Sequence, residues 1–569
     1  MNNGFSNSVF RSRLYKLALM GRGPTTLAAL PPDSEERGVA TGDAESGRAI
    51  MNGGFTIAGE AVDFNTAWPS AAAADQVQVA LHRFDWLGDL AVLDSIEARR
   101  FAEFLFESWD ERYGTYHEVS WRADILAARM VNWLTQYAAL FEPAEATFRI
   151  RLLDSIARQL RHLRRVASQE TAPMERIEVL KGLIYGEACV TSETERVRRS
   201  LTLLEAELER QVLPDGSHIS RSPGRQLATL EALIDIRAVL TAASREVPVA
   251  LRNTIDRMAP MTRFLRHSDG ALACFNGGGR PNPTHVSRVL LRSDAQGRAP
   301  GRAPYAGFER IDANGMVLIL DGGTPPEDAF DEEAHAGLMS FEMSVDGQRL
   351  IVNCGAGADT DAGWRQALRT TAAHSTVIID DRNSCEVTET GLGRRPGAID
   401  CDRGEIDGNI WISSSHDGYE DRYGLTHRRR LYVGDEEPGL RGEDILVGDR
   451  QHPFAVRFHL HPAVRAVIDG DPGSATLTLP NGDRWRLRAD RPIALEDSVY
   501  WEDGSGIERS TQIVVRGETK GAATPVKWRL RQLAQTGGAE SEAETPGTTE
   551  NVEKADIPDD LLSPGFTKA

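Results

Sequence analysis

His335, Asn353 and His374 stand at the ends of segments that alternate apolar and polar residues. The first reads HAGLMSFEMSVDGQRLIVNCGAG from position 335, the second WRQALRTTAAHSTVIIDD from position 364. Asp346-Gly347 between two alternating runs is a two-residue hairpin signal, because both residue types tolerate positive φ. With that pair as the loop, Met343 faces Leu350 and Phe341 faces Val352, while Ser340 faces Asn353 on the other side. Two imidazoles suit a divalent ion, zinc first, when an oxygen ligand completes the set. Asn353 is neutral and a poor ligand, although Glu342 or Asp359 could supply a carboxylate. The alternative is structural: both histidines hydrogen-bond across the sheet edge and hold a loop.

A second group lies in Leu213–Arg225, LPDGSHISRSPGR. His218 is a possible base, and Arg221 and Arg225 are anion binders, since a guanidinium pairs bidentately with a carboxylate. The same residues also read as an ordinary helix start, with Ser222 as cap and Pro223 at the first helical position. Tyr185 and Glu187 are polar groups on an otherwise apolar helix and could face a groove or fill a core. Trp121, Arg122 and Arg129 lie on one helix with Asn132 and Trp133; Arg129 and Trp133, four apart, share a face. Aromatic rings beside arginine suit a sugar ring and its carboxylate, and helix packing accounts for them equally. The run Phe454–His461 puts Arg457, His459 and His461 opposite Val456, Phe458 and Leu460, the usual look of a solvated strand face. Gly277–Gly279 lacks the Lys-Ser/Thr and the strand–loop–helix setting of a phosphate loop and reads as a turn.

The elements that must position these residues fall into two blocks. Apolar residues at three- and four-residue spacing predict helices over Trp121–Phe141, Ala146–Val166, Met174–Cys189, Glu193–Val212, Arg225–Ala243 and Pro248–Leu265. Short linkers between them imply antiparallel helix hairpins, and no fixed-length repeat is visible. Helical spacing ends at Ala271–Pro283, and from Ser287 to Gln532 the period is two. Strands are expected at Met316–Leu320, Ser340–Val345, Arg349–Asn353, Thr376–Ile379, His427–Val433, Phe454–Leu460, Ala475–Leu479, Arg484–Ala489 and Thr511–Arg516. Many short strands with Gly/Asp turns imply an antiparallel sandwich. The expected divisions are an irregular segment over 1–60 with one helix near Ser8–Ala18, a helical domain over 61–268, a sandwich over 269–535 and a disordered acidic tail over 536–569.

Composition narrows the function classes. The chain has 569 residues, 41% hydrophobic and 26% charged, which fits two large globular domains. Its formal net charge of −19 argues against duplex nucleic acid and sits awkwardly with a polyanion. Glu540–Ala569 contributes eight acidic and two basic residues to that balance. No apolar run approaches the roughly 18–20 residues of a membrane span. The first residues lack a sustained apolar segment with a small-residue cleavage site, so a cytoplasmic location is expected. Five scattered cysteines without a CxxC suggest free buried thiols.

The order His-Ala-x-x-x-Ser-Phe-Glu, a Gly hairpin, Val-Asn-x-Gly and Ala-His-x-Thr resembles the C-terminal domain of the heparinase II/III family. The likeness extends more weakly through Trp121–Leu134, Asp215–Arg225 and Arg457–Pro462. It implies an N-terminal incomplete (α/α) toroid and a C-terminal antiparallel β-sandwich, hence an α+β multidomain chain of a bacterial polysaccharide lyase type. The family is usually periplasmic or in the cell envelope. In those lyases the positions of His335, Asn353 and His374 usually read His, Asp and His and bind a divalent metal, often zinc. Glu333 stands where a substrate-facing histidine is common, and Arg225 where a catalytic tyrosine is typical. An Asn that neutralises the uronate is expected within Val179–Cys189 and is missing.

The resemblance therefore implies β-elimination on a uronate polysaccharide of the heparin, heparan or alginate kind. Arg225, Arg221 and Arg129 would neutralise the carboxylate; His218, His335 or Tyr185 would move protons; Trp121 and Glu333 would contact sugar. The departures at Arg225, Glu333 and Asn353 favour a second reading, a non-catalytic polysaccharide-binding or assembly factor that keeps the lyase fold. A toroid glycoside hydrolase ranks last, because no convincing carboxylate pair is present.

Overall fold

The structure is a computed structural model. It describes residues 21–32, 42–57, 60–62, 75–167, 172–191, 193–279, 281–357, 362–434, 438–502 and 506–534, with Tyr15, Leu19 and Trp68. The helix expected near Ser8–Ala18, Tyr15 apart, and the tail over 536–569 lie outside the described residues.

The expected helices between Trp121 and Leu265 form. They are Ala123–Thr135 with a π-helical turn Tyr137–Phe141, Ala146–Val166, Arg176–Val190, Thr194–Gln211, Pro223–Ala242 and Val249–Phe264. Ala146–Val166 buries Phe148, Leu152, Ile156, Leu160 and Leu163 along one stripe and leaves arginines outside. Arg176–Val190 is the hub, packed against Ala123–Thr135, Ala146–Val166, Thr194–Gln211 and Pro223–Ala242. Neighbours on several sides explain why it is apolar nearly all round. At Gly182 the Ala123–Thr135 helix comes so close that an added Cβ would lie 2.5 Å from the Ala127 Cα.

Three expectations differ, the first being the irregular segment over 1–60, where Ala44–Met51 is a helix capped by Asp43 and Phe55–Ile57 pairs with Glu60–Val62. Pro248 is the N-cap of its helix rather than the first helical residue. The two-residue period does not begin at Ser287, because Pro283–Ser293 is a further helix packed on Pro223–Ala242 and Val249–Phe264. Asn282 caps it by accepting from the Thr284 N–H at 2.8 Å. The Asn-Pro pair that reads as the end of the helical region is thus a helix start.

Two antiparallel sheets follow. An eight-stranded sheet runs in the spatial order Arg465–Ile468, Ser474–Thr478, Arg484–Ala489, Ala523–Gln532, Gly439–Val447, Leu425–Val433, Asn409–Tyr419 and Ile399–Ile406. A nine-stranded sheet runs Ile493–Glu502, Gly506–Glu518, Pro453–Leu460, Gln348–Val352, Phe341–Val345, Met316–Asp321, Phe308–Ala313 and Arg302–Ala303, with Val377–Ile379 added beside Pro453–Leu460. Phe341, Val456 and Leu318 from the second sheet meet Leu431, Trp485 and Trp528 from the first in one core. The Phe341 and Trp528 rings stack with centroids 5.7 Å apart. The fold is therefore an incomplete toroid followed by a sandwich, as the sequence implied.

The nine-stranded sheet is buried on its outer face too. Val317 and Ile319 join the helical core, while Met316, Leu318 and Leu320 join the sandwich core. The hairpin over Phe341–Val352 turns at Asp346-Gly347, with Val345 opposite Gln348 and Ser344 opposite Arg349. A bulge then intervenes, so Met343 faces Ile351 instead of Leu350. One extra residue on the second strand shifts every pairing beyond it.

Candidate functional site

Three loops meet where the toroid contacts the sandwich: Leu213–Ser222 of the toroid, Cys274–Gly279 between the domains, and 330–340 of the sandwich. Ser222 caps the Pro223–Ala242 helix, accepting from the Arg225 N–H. That fixes Arg225 in the first turn, from which its side chain crosses to the sandwich. Arg225 Nε and Nη2 donate to Glu333 Oε1 at 3.0 and 2.7 Å, and Glu175 Oε1 lies 3.7 Å from Nη1. Burial alone would lower the Arg225 pKa, but Glu333 and Glu175 outweigh it and raise the value. Burial raises the Glu175 pKa, against the pull of Arg225. The positions that resemble a lyase's tyrosine and histidine thus hold an ion pair. Neither partner can act as the neutral phenol–imidazole couple would.

The remaining loop residues are structural. Arg221 is buried, donates to Ala306 O at 2.6 Å and pairs with Asp321 of the sandwich. Its own carbonyl accepts from Asn276 Nδ2 at 3.1 Å, and Asn276 Oδ1 accepts from the His335 N–H at 3.0 Å. His218 is 2% exposed. Its Nδ1 meets Ser220 Oγ at 2.8 Å and its Nε2 meets Gln211 Oε1 at 3.3 Å. Burial depresses its pKa to about 3. Both ring nitrogens are engaged inside the loop, so His218 offers no base to a groove.

Three more expected site residues sit in the toroid core. Tyr185 is fully buried, with its hydroxyl 3.4 Å from Asp235 O. Trp121 is buried and donates from Nε1 to Tyr113 O at 2.8 Å. Arg129 is fully buried and donates to Gln159 Oε1, His82 O and Ser120 O, with its guanidinium 4.3 Å above the Trp109 ring. Burial lowers its pKa to about 9. Arg129 ties three segments together and reaches no groove. Glu187 is likewise buried, between Arg164 and Ser200. The Arg457–His459 face is buried rather than solvated: Ser498 Oγ donates to His459 Nδ1 at 2.7 Å, and His459 Nε2 donates to Ala372 O.

His335 and His374 do meet. His374 Nδ1 donates to Thr370 O at 2.7 Å, which leaves its Nε2 as an acceptor for His335 Nδ1 at 3.0 Å. Asn353 Oδ1 accepts from the Ser375 N–H at 3.0 Å. His335 Nε2 and Asn353 Nδ2 are buried without a hydrogen-bond partner. Burial pushes the pKa of His335 well below its usual value and that of His374 to about 4. Glu342 supplies no ligand, because its carboxylate takes the N–H groups of Cys274 and Asn353 and pairs with His267 and Arg349. Asp359 lies outside the described residues. Among the described residues no group of three or more His, Cys, Asp or Glu could hold a metal. Two imidazoles bonded to each other and an amide presenting N–H groups do not fit a zinc ion.

Sequence reasoning missed Glu175, Asp321 and Asn276, which hold Arg225, Arg221 and His335. Asn276 precedes the three glycines and has φ of 47°, a left-handed conformation that asparagine tolerates. The glycine run is a packing seam: a Cβ on Gly224 would lie 1.9 Å from Gly278 O.

Residues 49–291 match the heparinase II/III N-terminus and residues 295–529 the heparinase II/III-like C-terminal domain. The chain belongs to the heparinase II/III family. FtsZ-localized protein C of Caulobacter vibrioides is 31% identical over 549 residues, covering 92% of this chain and 93% of that one. Among solved structures, heparinase III aligns with a TM-score of 0.68 at 13% identity, over 87% of this chain and 84% of that one. The heparan sulfate lyase HepC of Pedobacter heparinus aligns at 0.61 and 16%, over 87% and 83%. The chondroitin AC lyase of Streptomyces coelicolor aligns at 0.52 and 11%, over 92% and 80%. At such identities these neighbours share a fold with this heparinase II/III-family chain. No helix among its described residues is long and apolar enough to cross a membrane.

Proposed function

We propose that this heparinase II/III-family chain has given up β-elimination and serves as a binding or assembly factor at sites where FtsZ acts. The observation that carries this reading is the Arg225–Glu333 pair. β-Elimination needs a group that takes the proton beside a carboxylate and one that returns a proton to the leaving oxygen. Arginine stays protonated at any useful pH, and Glu333 is spent on neutralising it. Glu175 and Glu332 also act on the same guanidinium, so the field there does not favour a uronate. His218, His335 and Tyr185, the other proton carriers, are enclosed.

The FtsZ link comes from the name of the Caulobacter relative, whose likeness spans nearly both chains. Family and fold support the other reading, a lyase acting on an anionic polysaccharide, but that reading requires a base beyond the residues around Arg225.

The test pairs two assays on the full chain. With a panel of heparan, chondroitin and alginate polymers, ultraviolet absorbance of unsaturated uronate stays at the no-enzyme rate. With polymerised FtsZ, the chain sediments with the polymer. A uronate signal that Arg225→Ala or Glu333→Ala removes overturns the non-eliminating reading. Failure to sediment with FtsZ polymer overturns the assembly reading.

A further inference from the structure

The pair His335–His374 is buried, and its bonding has a definite sense. A carbonyl can only accept, so the contact to Thr370 O places a proton on His374 Nδ1 and a lone pair on Nε2. His335 Nδ1, 3.0 Å away, therefore carries the proton between the rings. The lone pair of His335 Nε2 is left without a partner. That tautomer is reversible: moving the His335 proton from Nδ1 to Nε2 would leave two lone pairs facing each other across 3.0 Å, and a tilt of the rings would be needed to aim both at one ion. Two nitrogens on one tetrahedral zinc, with bonds of about 2.0–2.1 Å, stand roughly 3.3 Å apart. The imidazoles are thus within a few tenths of an ångström of a zinc-binding spacing. His374 is also held from outside, as a metal-bound histidine is, by the Thr370 carbonyl.

Asn353 is what fails. Its orientation is fixed by the Ser375 N–H, the residue next to His374, which must point at an oxygen. Flipping the amide would set N–H against N–H. Nδ2 then occupies the place of a carboxylate's second oxygen. It is fully buried, has no partner and can only donate. A cation beside it would meet hydrogens rather than a lone pair, and the set would carry no negative charge against the ion.

We propose that His335, His374 and Asn353 form a metal site kept metal-free by one amide. The neutral His335–His374 hydrogen bond takes the place of the ion as the link between the 330–340 loop and the Thr371–Ala373 turn. Through Asn276 the same link continues to Arg221 and the toroid. Asn353→Asp, equal in size, restores an anionic oxygen and with it zinc binding. This holds whether or not the groove cleaves a sugar, so its failure is separable from that of the proposed function.

The test is metal content and thermal melting of the full chain, with zinc chloride in excess and then removed by gel filtration. The wild-type chain is expected to retain less than about 0.1 zinc per chain and to melt at the same temperature with or without the metal. Asn353→Asp is expected to retain about one zinc per chain and to melt higher with it. Adding His374→Ala to that variant removes both effects. A wild-type chain that keeps about one zinc, lost in His374→Ala, overturns the proposal. So does a folded Asn353→Asp chain, judged by circular dichroism and elution volume, that binds none. If Asn353→Asp fails to fold, Asn353→Ser with added acetate replaces it, and zinc uptake that is unchanged by acetate counts against the proposal.

Discussion

Arg225, in the first turn of a toroid helix, closes on Glu333 of a sandwich loop through two donors to one carboxylate oxygen, at 2.7 and 3.0 Å. Each side chain keeps 27% of its exposure, so the pair is partly screened. A double-mutant cycle with Arg225→Ala and Glu333→Ala is expected to give a coupling of about 1 kcal/mol in urea unfolding. Zero coupling would mean that the pair is not held in solution.

The neighbouring pair is far more enclosed. Arg221 and Asp321 are 5% and 6% exposed, and removing one partner strands a buried charge. Arg221→Ala is expected to cost about 3–5 kcal/mol, and Arg221→Met with Asp321→Leu should recover much of that. Equal loss in the single and double variants would show that the charge pairing is not what the site needs.

Arg129 distinguishes a core arginine from a sugar-binding one. Its fork serves Gln159, His82 and Ser120 at once, a geometry that an ammonium cannot copy. Arg129→Lys should lower stability by about 2–4 kcal/mol. A variant that is fully stable yet binds a polysaccharide more weakly would return Arg129 to the groove.

Gly182 reports on the closest helix contact. Alanine there meets the Ala127 backbone, and the two helices must part. Gly182→Ala should cost about 1–3 kcal/mol by thermal melting despite alanine's better helix propensity. An unchanged or raised melting temperature contradicts the packing described.

Buried histidines set the pH response. Burial depresses His82 and His218 to about 3, and His162 and His267 to about 4. The unfolded chain takes up protons near pH 6.5, and the folded chain does so only at these lower values. Unfolding therefore binds protons below about pH 6.5, and stability falls as pH drops toward about 4. Each histidine contributes up to about 1.4 kcal/mol per pH unit in that window. Melting temperatures that stay flat from about pH 7 to about pH 4.5 would contradict this.

Local periodicity determined most of the elements. The Ala146–Val166 stripe, the Asp346-Gly347 turn and the Ser222–Pro223 helix start all encode themselves within a few residues, because capping, turn geometry and amphipathic spacing are short-range properties. The motif order around His335 and His374 was enough to identify the family and its two-domain fold. Strict alternation misses the bulge that moves Met343 opposite Ile351, because there the consecutive residues Leu350 and Ile351 both enter the sandwich core. Nor could sequence separate a groove from a core. Tyr185, Trp121, Arg129 and His218 are the residue types that bind sugars and move protons, yet packing of the helices around Arg176–Val190 and of the loop around His218 encloses them. Whether a polar side chain meets solvent depends on neighbours distant in the chain. The same holds for Arg225 and Glu333, 108 residues apart: as single letters each is a plausible anion binder or acid, and only docking of the toroid on the sandwich makes each the other's counter-ion.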